Sequence, residues 1–316
     1  MRRQGRFITV MTTAGLVFLY APIITMMALS FNSSRLVTVW GGFSLQWYRE
    51  LISNQALLDG AWLSIEIAAL SATVAVVLGT LAGYVLSRFG PFRGKVAMAG
   101  MISAPLVMPE VITGLSLLLL FVAMEDLIGW PAGRGLTTLV LSHATFCMAY
   151  VAIVVQSRLA QMDGTLEEAA LDLGARPWRA FIDVTLPMLA PALISGWLLA
   201  FTLSFDDLVI SSFVSGPGSS TLPMLIFSKV RLGVSPDVNA LATIMITVVG
   251  LCVFLYAWQA RRKLHVMKQQ AARHNRERIL QVEAISQPIS ANANSAGKGR
   301  TACGSEFWKQ GETAST

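Results

Sequence analysis

Charge is scarce in this 316-residue sequence: Asp, Glu, Lys and Arg make up 13% of it, about half their share in an ordinary globular chain. That scarcity excludes a soluble enzyme, because so few charges cannot furnish the polar surface of a water-borne domain. Cysteine is scarce too. Cys147 and Cys252 fall in apolar stretches and Cys303 in a polar tail, so no disulfide framework or cysteine-based metal site is implied. The three histidines, His143, His265 and His274, are scattered, and no HExxH, GxSxG or GxxxxGK[ST] occurs. These absences argue against a zinc protease, a serine-hydrolase elbow and a phosphate-binding loop for ATP. Any ATP used with this chain must be bound by another one.

What the sequence has in abundance is apolar length. With 54% apolar residues and a mean hydropathy of +0.60, it reads as an all-α, polytopic integral membrane protein. Six stretches reach the roughly 20 residues that a bilayer requires, at about 7–31, 61–87, 96–124, 136–157, 187–213 and 238–260. One transmembrane domain over 1–270 and a polar, disordered cytoplasmic tail over 271–316 are expected. Arg2 and Arg3 precede the first stretch as in a signal peptide. Its uncharged run is too long for one and ends in Asn32-Ser33-Ser34 without a small-x-small cleavage site, so a retained helix is expected.

Six crossings put both termini on one side. Nineteen of the 24 basic residues then fall on that side, and the positive-inside rule makes it cytoplasmic. Omitting the tail leaves 9 against 5. The net charge of +6 collects at these ends, where it suits orientation and anionic lipid rather than nucleic acid.

Four side chains within the spans are ordinarily charged, Glu66, Glu110, Asp206 and Asp207, and all are acidic although basic residues outnumber acidic ones 24 to 18. A charge at the bilayer centre costs roughly 2.5 to 3.5 kcal/mol for either sign, so retaining only carboxylates suggests a path for a small cation. Glu110 directly follows Pro109 near mid-span, where freed carbonyls can supplement it. Asp206 and Asp207 are adjacent, about 100° apart on a helix, so one is expected to face the path. Trp40, Trp47, Tyr48 and Trp62 cluster at the extracytoplasmic mouth, where ring faces can hold an alkylammonium or form an interfacial belt. Trp197, inside the fifth span, reads as packing.

Between the fourth and fifth spans, Glu168 to Pro187 read EAALDLGARPWRAFIDVTLP. Leu166, Ala169, Ala170 and Leu173 form one apolar stripe of a helix too short to cross a bilayer, which calls for a protein partner. Thr165 is expected to cap that helix with Glu168 in a capping box, Gly174 to end it, and Pro177 to open a second short helix. Glu167, Glu168 and Asp172 are expected to offer carboxylates to a basic groove.

Glu168-Ala169-Ala170, then Gly174, Phe181 and Leu186-Pro187, resembles the EAA loop of permease subunits in binding-protein-dependent ABC importers. SFDDLVISSFVSGPGSSTLP from Ser204 and LYAPIITMMALSFN from Leu19 are similar to the polyamine branch, the putrescine and spermidine permeases, over roughly residues 7–262. The resemblance implies a bacterial inner-membrane subunit with Glu168, Ala169, Ala170, Asp172, Leu173, Gly174 and Ala175 coupling it to a separate ATPase dimer. It implies a second permease subunit and a periplasmic substrate-binding protein as further partners, with no cofactor on this chain and ATP and Mg on the ATPase. An import permease for an amino acid, sugar or metal is the rival reading, and a secondary cation transporter a more distant one.

Overall fold

The computed structural model describes residues 2–35, 39–232 and 236–251, with Phe254 and Trp258. These residues form an all-α chain with five helices long and apolar enough to cross a membrane. Among the described residues, the one strand-like contact is an isolated bridge between Asn32 and Phe43.

Helix α1, Arg2–Leu29, leaves its apolar surface uncovered by the rest of the chain. The amphipathic α2, Gln46–Ser53, leads into α3, Gln55–Arg88, whose 34 residues extend the expected second span at its N-terminal end. Ala68, Ala72, Ala75, Gly79 and Ala82 are buried at alternating steps of four and three, the spacing that keeps one seam of a helix against a partner. That partner is α6, Leu136–Gln161. A Cβ at Gly79 would lie 2.8 Å from Val151 Cβ and 2.9 Å from the Met148 carbonyl, so the small-xxx-small pair Gly79 and Gly83 sets the distance between the two backbones. Both helices also pack on α9, Leu186–Phe205. Between helices, Ser71 Oγ donates to the Val140 carbonyl at 3.2 Å, and Thr138 Oγ1 to the Val214 carbonyl at 2.8 Å.

Two of the six expected spans are interrupted. The third divides into α4, Lys95–Val107, and α5, Glu110–Ile128. Pro109 has no N–H to continue the ladder and pushes Met108 into an extended conformation (φ −75°, ψ 136°). The fifth begins earlier than the apolar run does, at Pro177, and α9 stops at Phe205. A short α10, Val209–Val214, follows after the break at Asp206–Leu208 and packs against α5. Then come α11, Leu222–Leu232, and the apolar α12, Pro236–Leu251. The end of the expected sixth span and the tail over 271–316 lie outside the described residues.

Candidate functional site

The loop after α6 folds as the sequence predicts, with one change at its start. Helix α7 spans Thr165–Asp172, so Thr165 is helical rather than its cap, and the capping box with Glu168 does not form. Asp163 Oδ1 takes the Thr165 N–H at 3.0 Å instead. At the other end Gly174 has φ +86°; Ala175 N–H donates to the Ala170 carbonyl at 3.1 Å and Gly174 N–H to the Leu171 carbonyl at 2.9 Å. This is a complete Schellman stop, which requires a residue at ease with positive φ. Pro177 opens α8, Pro177–Ala180, and a π-helical turn, Phe181–Thr185, joins it to α9.

No residue of α7 is buried. Leu166, Ala169 and Leu173 are exposed, Leu173 to 90%, and Glu168 and Asp172 are exposed beside them. This surface has the short apolar stripe and acidic flank that a docking helix needs. Glu167 departs from the expectation that it faces a partner: its carboxylate pairs with Arg88 Nε at 3.3 Å and accepts from Thr185 Oγ1 at 2.8 Å.

Three of the four acids in the expected spans sit at helix breaks, whereas Glu66 lies within the unbroken α3. Glu110 is the first residue of α5 and is exposed. Asp206 and Asp207 occupy the break after α9, so the expected 100° separation on a continuous helix does not apply. Asp206 is exposed. Asp207 turns inward and caps α10, accepting from the N–H groups of Ile210 at 3.2 Å and Ser211 at 2.8 Å and from Ser211 Oγ at 2.9 Å. Its Oδ2 also lies 3.3 Å from Nε2 of the buried His143, whose Nδ1 is 2.6 Å from Ser204 Oγ and whose Nε2 is 3.1 Å from Ser211 Oγ. A histidine read from sequence as merely scattered thus ties α6 to the break. Its partners are 61 and more residues away, and no local pattern announces them.

Near the N-terminal end of α3, Asp59, Trp62 and Glu66 line a cavity of about 430 Å³ together with Gly218 and Leu225. Asp59, Trp62 and Glu66 are spaced i, i+3 and i+7, one helix face, a signal present in the sequence that places Asp59 beside the Trp62 and Glu66 already singled out. Trp40 is 57% exposed. Trp47 is only 5% exposed, and its Nε1 donates to the Asn32 carbonyl at 2.5 Å. Its indole pins the loop that Asn32 also organises through Val39 and Gly41, which corrects the expectation of a ring presented at the mouth.

Residues 75–264 match the family described as "Binding-protein-dependent transport system inner membrane component". The chain is 61% identical over 244 residues, 77% of its length and 86% of the relative's, to the putrescine transport system permease protein PotI of Escherichia coli (strain K12). It is 42% identical over 251 residues, 79% of its length and 92% of the relative's, to the spermidine/putrescine transport system permease protein PotC of the same strain. A chain of the crystal structure of a bacterial ABC transporter involved in the import of the acidic polysaccharide alginate shares the fold, with a TM-score of 0.64 at 17% identity, over 82% of this chain and 96% of that one. With a short exposed helix between two helices long enough to span and a family match over most of its membrane region, this chain belongs to the inner-membrane permease components of binding-protein-dependent ABC importers.

Proposed function

We propose that the chain is the permease subunit of an ATP-driven importer that carries putrescine or a closely related polyamine across the bacterial inner membrane, with both termini cytoplasmic. The substrate class rests on one observation above the rest: Glu110 and Asp206 are exposed carboxylates at breaks in two membrane helices whose continuations, α5 and α10, pack together. Gly114 of α5 lies against Ile210 and Phe213 of α10. Glu110 and Asp206 each precede that contact by four residues, and both helices run outward in the topology given by the basic residues, so the two acids belong at one depth. An alkyl diammonium meets a carboxylate there without the loss of attraction that bulk water imposes. The identity to the putrescine relative supports the same class.

In this reading Asp59, Glu66 and Trp62, with exposed Trp40, form the outer approach, and Asp207 serves the scaffold. A second permease subunit completes the path, a periplasmic binding protein delivers the cation, and an ATPase dimer docks on Leu166, Glu168, Ala169, Ala170, Asp172, Leu173 and the turn at Gly174 and Ala175. This chain holds no cofactor of its own; ATP and Mg act on the ATPase. Closure of that dimer moves α7 and α8 as a short lever and opens the path outward, and hydrolysis resets it.

The test is uptake of labelled putrescine by proteoliposomes holding all subunits and ATP, with spermidine and a neutral amino acid as competitors. Putrescine uptake blocked by spermidine and not by the amino acid is expected. Uptake of the amino acid in place of the amine would overturn the substrate class.

A further inference from the structure

We propose that Arg88 and Glu167 are positioning residues of the coupling step, a charge link that makes α7 and the start of α9 move together with α3. This rests on the reading that α7 receives the motion of an ATPase. Because α7 buries no residue of its own, apolar packing does not fix its orientation, and its polar contacts must. The Glu167 carboxylate joins three elements: Oε2 faces Arg88 Nε at 3.3 Å, Oε1 accepts from Thr185 Oγ1 at 2.8 Å, and Glu167 itself belongs to α7. Arg88 is the last residue of α3, where a cation also suits the carbonyl end of the helix. Thr185 is fully buried and ends the π-helical turn that leads into α9.

The pair is sheltered enough to be stiff. The side chains of Arg88 and Glu167 are 22% and 16% exposed, so salt and water weaken this contact less than a surface pair. A second contact runs parallel to it: the Tyr84 ring, one turn before Arg88, meets Phe181 edge-on at 4.8 Å between centroids. Glu167 therefore points inward while its neighbour Glu168, about 100° around the helix, stays with the exposed stripe. One face of α7 is left for the partner and the other is fastened to the bundle, the arrangement needed to pass a push at α7 to two membrane helices through a contiguous chain of contacts.

The experiment uses the full complex in proteoliposomes carrying Glu167→Gln, Arg88→Gln, both together, or Arg88→Lys. It reads three quantities: ATPase subunit retained on purification, ATP hydrolysis stimulated by the loaded binding protein, and putrescine carried per ATP. Each glutamine variant is expected to retain the ATPase, because Glu167 faces away from the docking stripe, and to lose about tenfold in stimulation and in uptake per ATP. The double variant should fall no further than the worse single one, and Arg88→Lys should keep most of the coupling. Unchanged coupling in both single variants would overturn the proposal. So would loss of the ATPase subunit with normal coupling in the complexes that remain, since the pair would then only seat the helix. If the unmodified complex fails to carry putrescine, the substrate reading fails separately, and stimulation of hydrolysis still decides the role of the pair.

Discussion

A carboxylate inside a membrane protein either satisfies the protein itself or remains available to something else, and here the three acids at the helix breaks divide between those uses. Asp207 accepts from two backbone N–H groups and the Ser211 hydroxyl and adjoins His143, so its charge is consumed at the break. Glu110 and Asp206 are exposed. Removing charge at the latter two should therefore differ in kind from removing it at Asp207. Glu110→Gln and Asp206→Asn are each expected to lower polyamine uptake about tenfold, the factor for about 1.4 kcal/mol of lost attraction, with assembly intact in size-exclusion chromatography. Asp207→Asn is expected to lower the yield of assembled complex, because the amide presents an N–H₂ group where Ser211 and Ile210 need an acceptor. Equal behaviour of all three variants in the paired uptake and assembly measurements would remove the distinction. The acids were legible in the sequence as rare charges in apolar runs. Their division was not, because it depends on His143, which reaches Asp207 and Ser204 only through the packing of α6 on α9.

Among elements, the α7–α8 loop and the α3–α6 seam were set by different kinds of information. Stripe, turn and second helix of the loop follow from local residues: Gly174 for the positive-φ stop and Pro177 for the first turn beyond it. Gly174→Val has open space for its side chain but the wrong backbone, a strain of about 1–3 kcal/mol. It should break the Schellman turn and reduce co-purification of the ATPase while the chain still inserts, as measured by pull-down from membranes. At the seam the constraint is distance instead. Gly79→Ala places a methyl 2.8 Å from Val151 Cβ, whereas Gly196→Ala meets the nearest Val151 methyl at 3.5 Å. The first should cost about 1–3 kcal/mol of stability through overpacking and so lower the thermal midpoint of the detergent-solubilised chain, and the second should leave it nearly unchanged. The helix breaks were half legible. Pro109 marks the first, but nothing in an apolar run marks the stop at Phe205, which comes into being where Asp207 finds two N–H groups to cap and a histidine on another helix.

For the whole molecule, the distribution of basic residues decides which surface meets which partner, and every role given to α7 and the α3 mouth depends on it. In the proposed topology helix α7 lies on the side to which the sequence assigns nineteen of the 24 basic residues, while Asp59, Trp62 and Glu66, near the start of α3, lie on the other. In that topology a single cysteine at Ser53, the last residue of α2, or at Ala132, between α5 and α6, should react in intact cells with a thiol reagent that cannot cross the membrane. One at Gln161, at the end of α6, should react only after the membrane is opened. All three positions are exposed and avoid positive-φ backbone, so accessibility rather than misfolding controls the signal, and Cys252 and Cys303 are replaced by alanine to remove background. Buried Cys147 can stay. Labelling of Gln161→Cys in sealed cells, with protection of the other two, would put α7 where no ATPase can reach it. The coupling surface and the outward path for the amine would then fall together, whereas the expected pattern places the apolar stripe beside ATP and the acidic cavity beside the periplasmic binding protein.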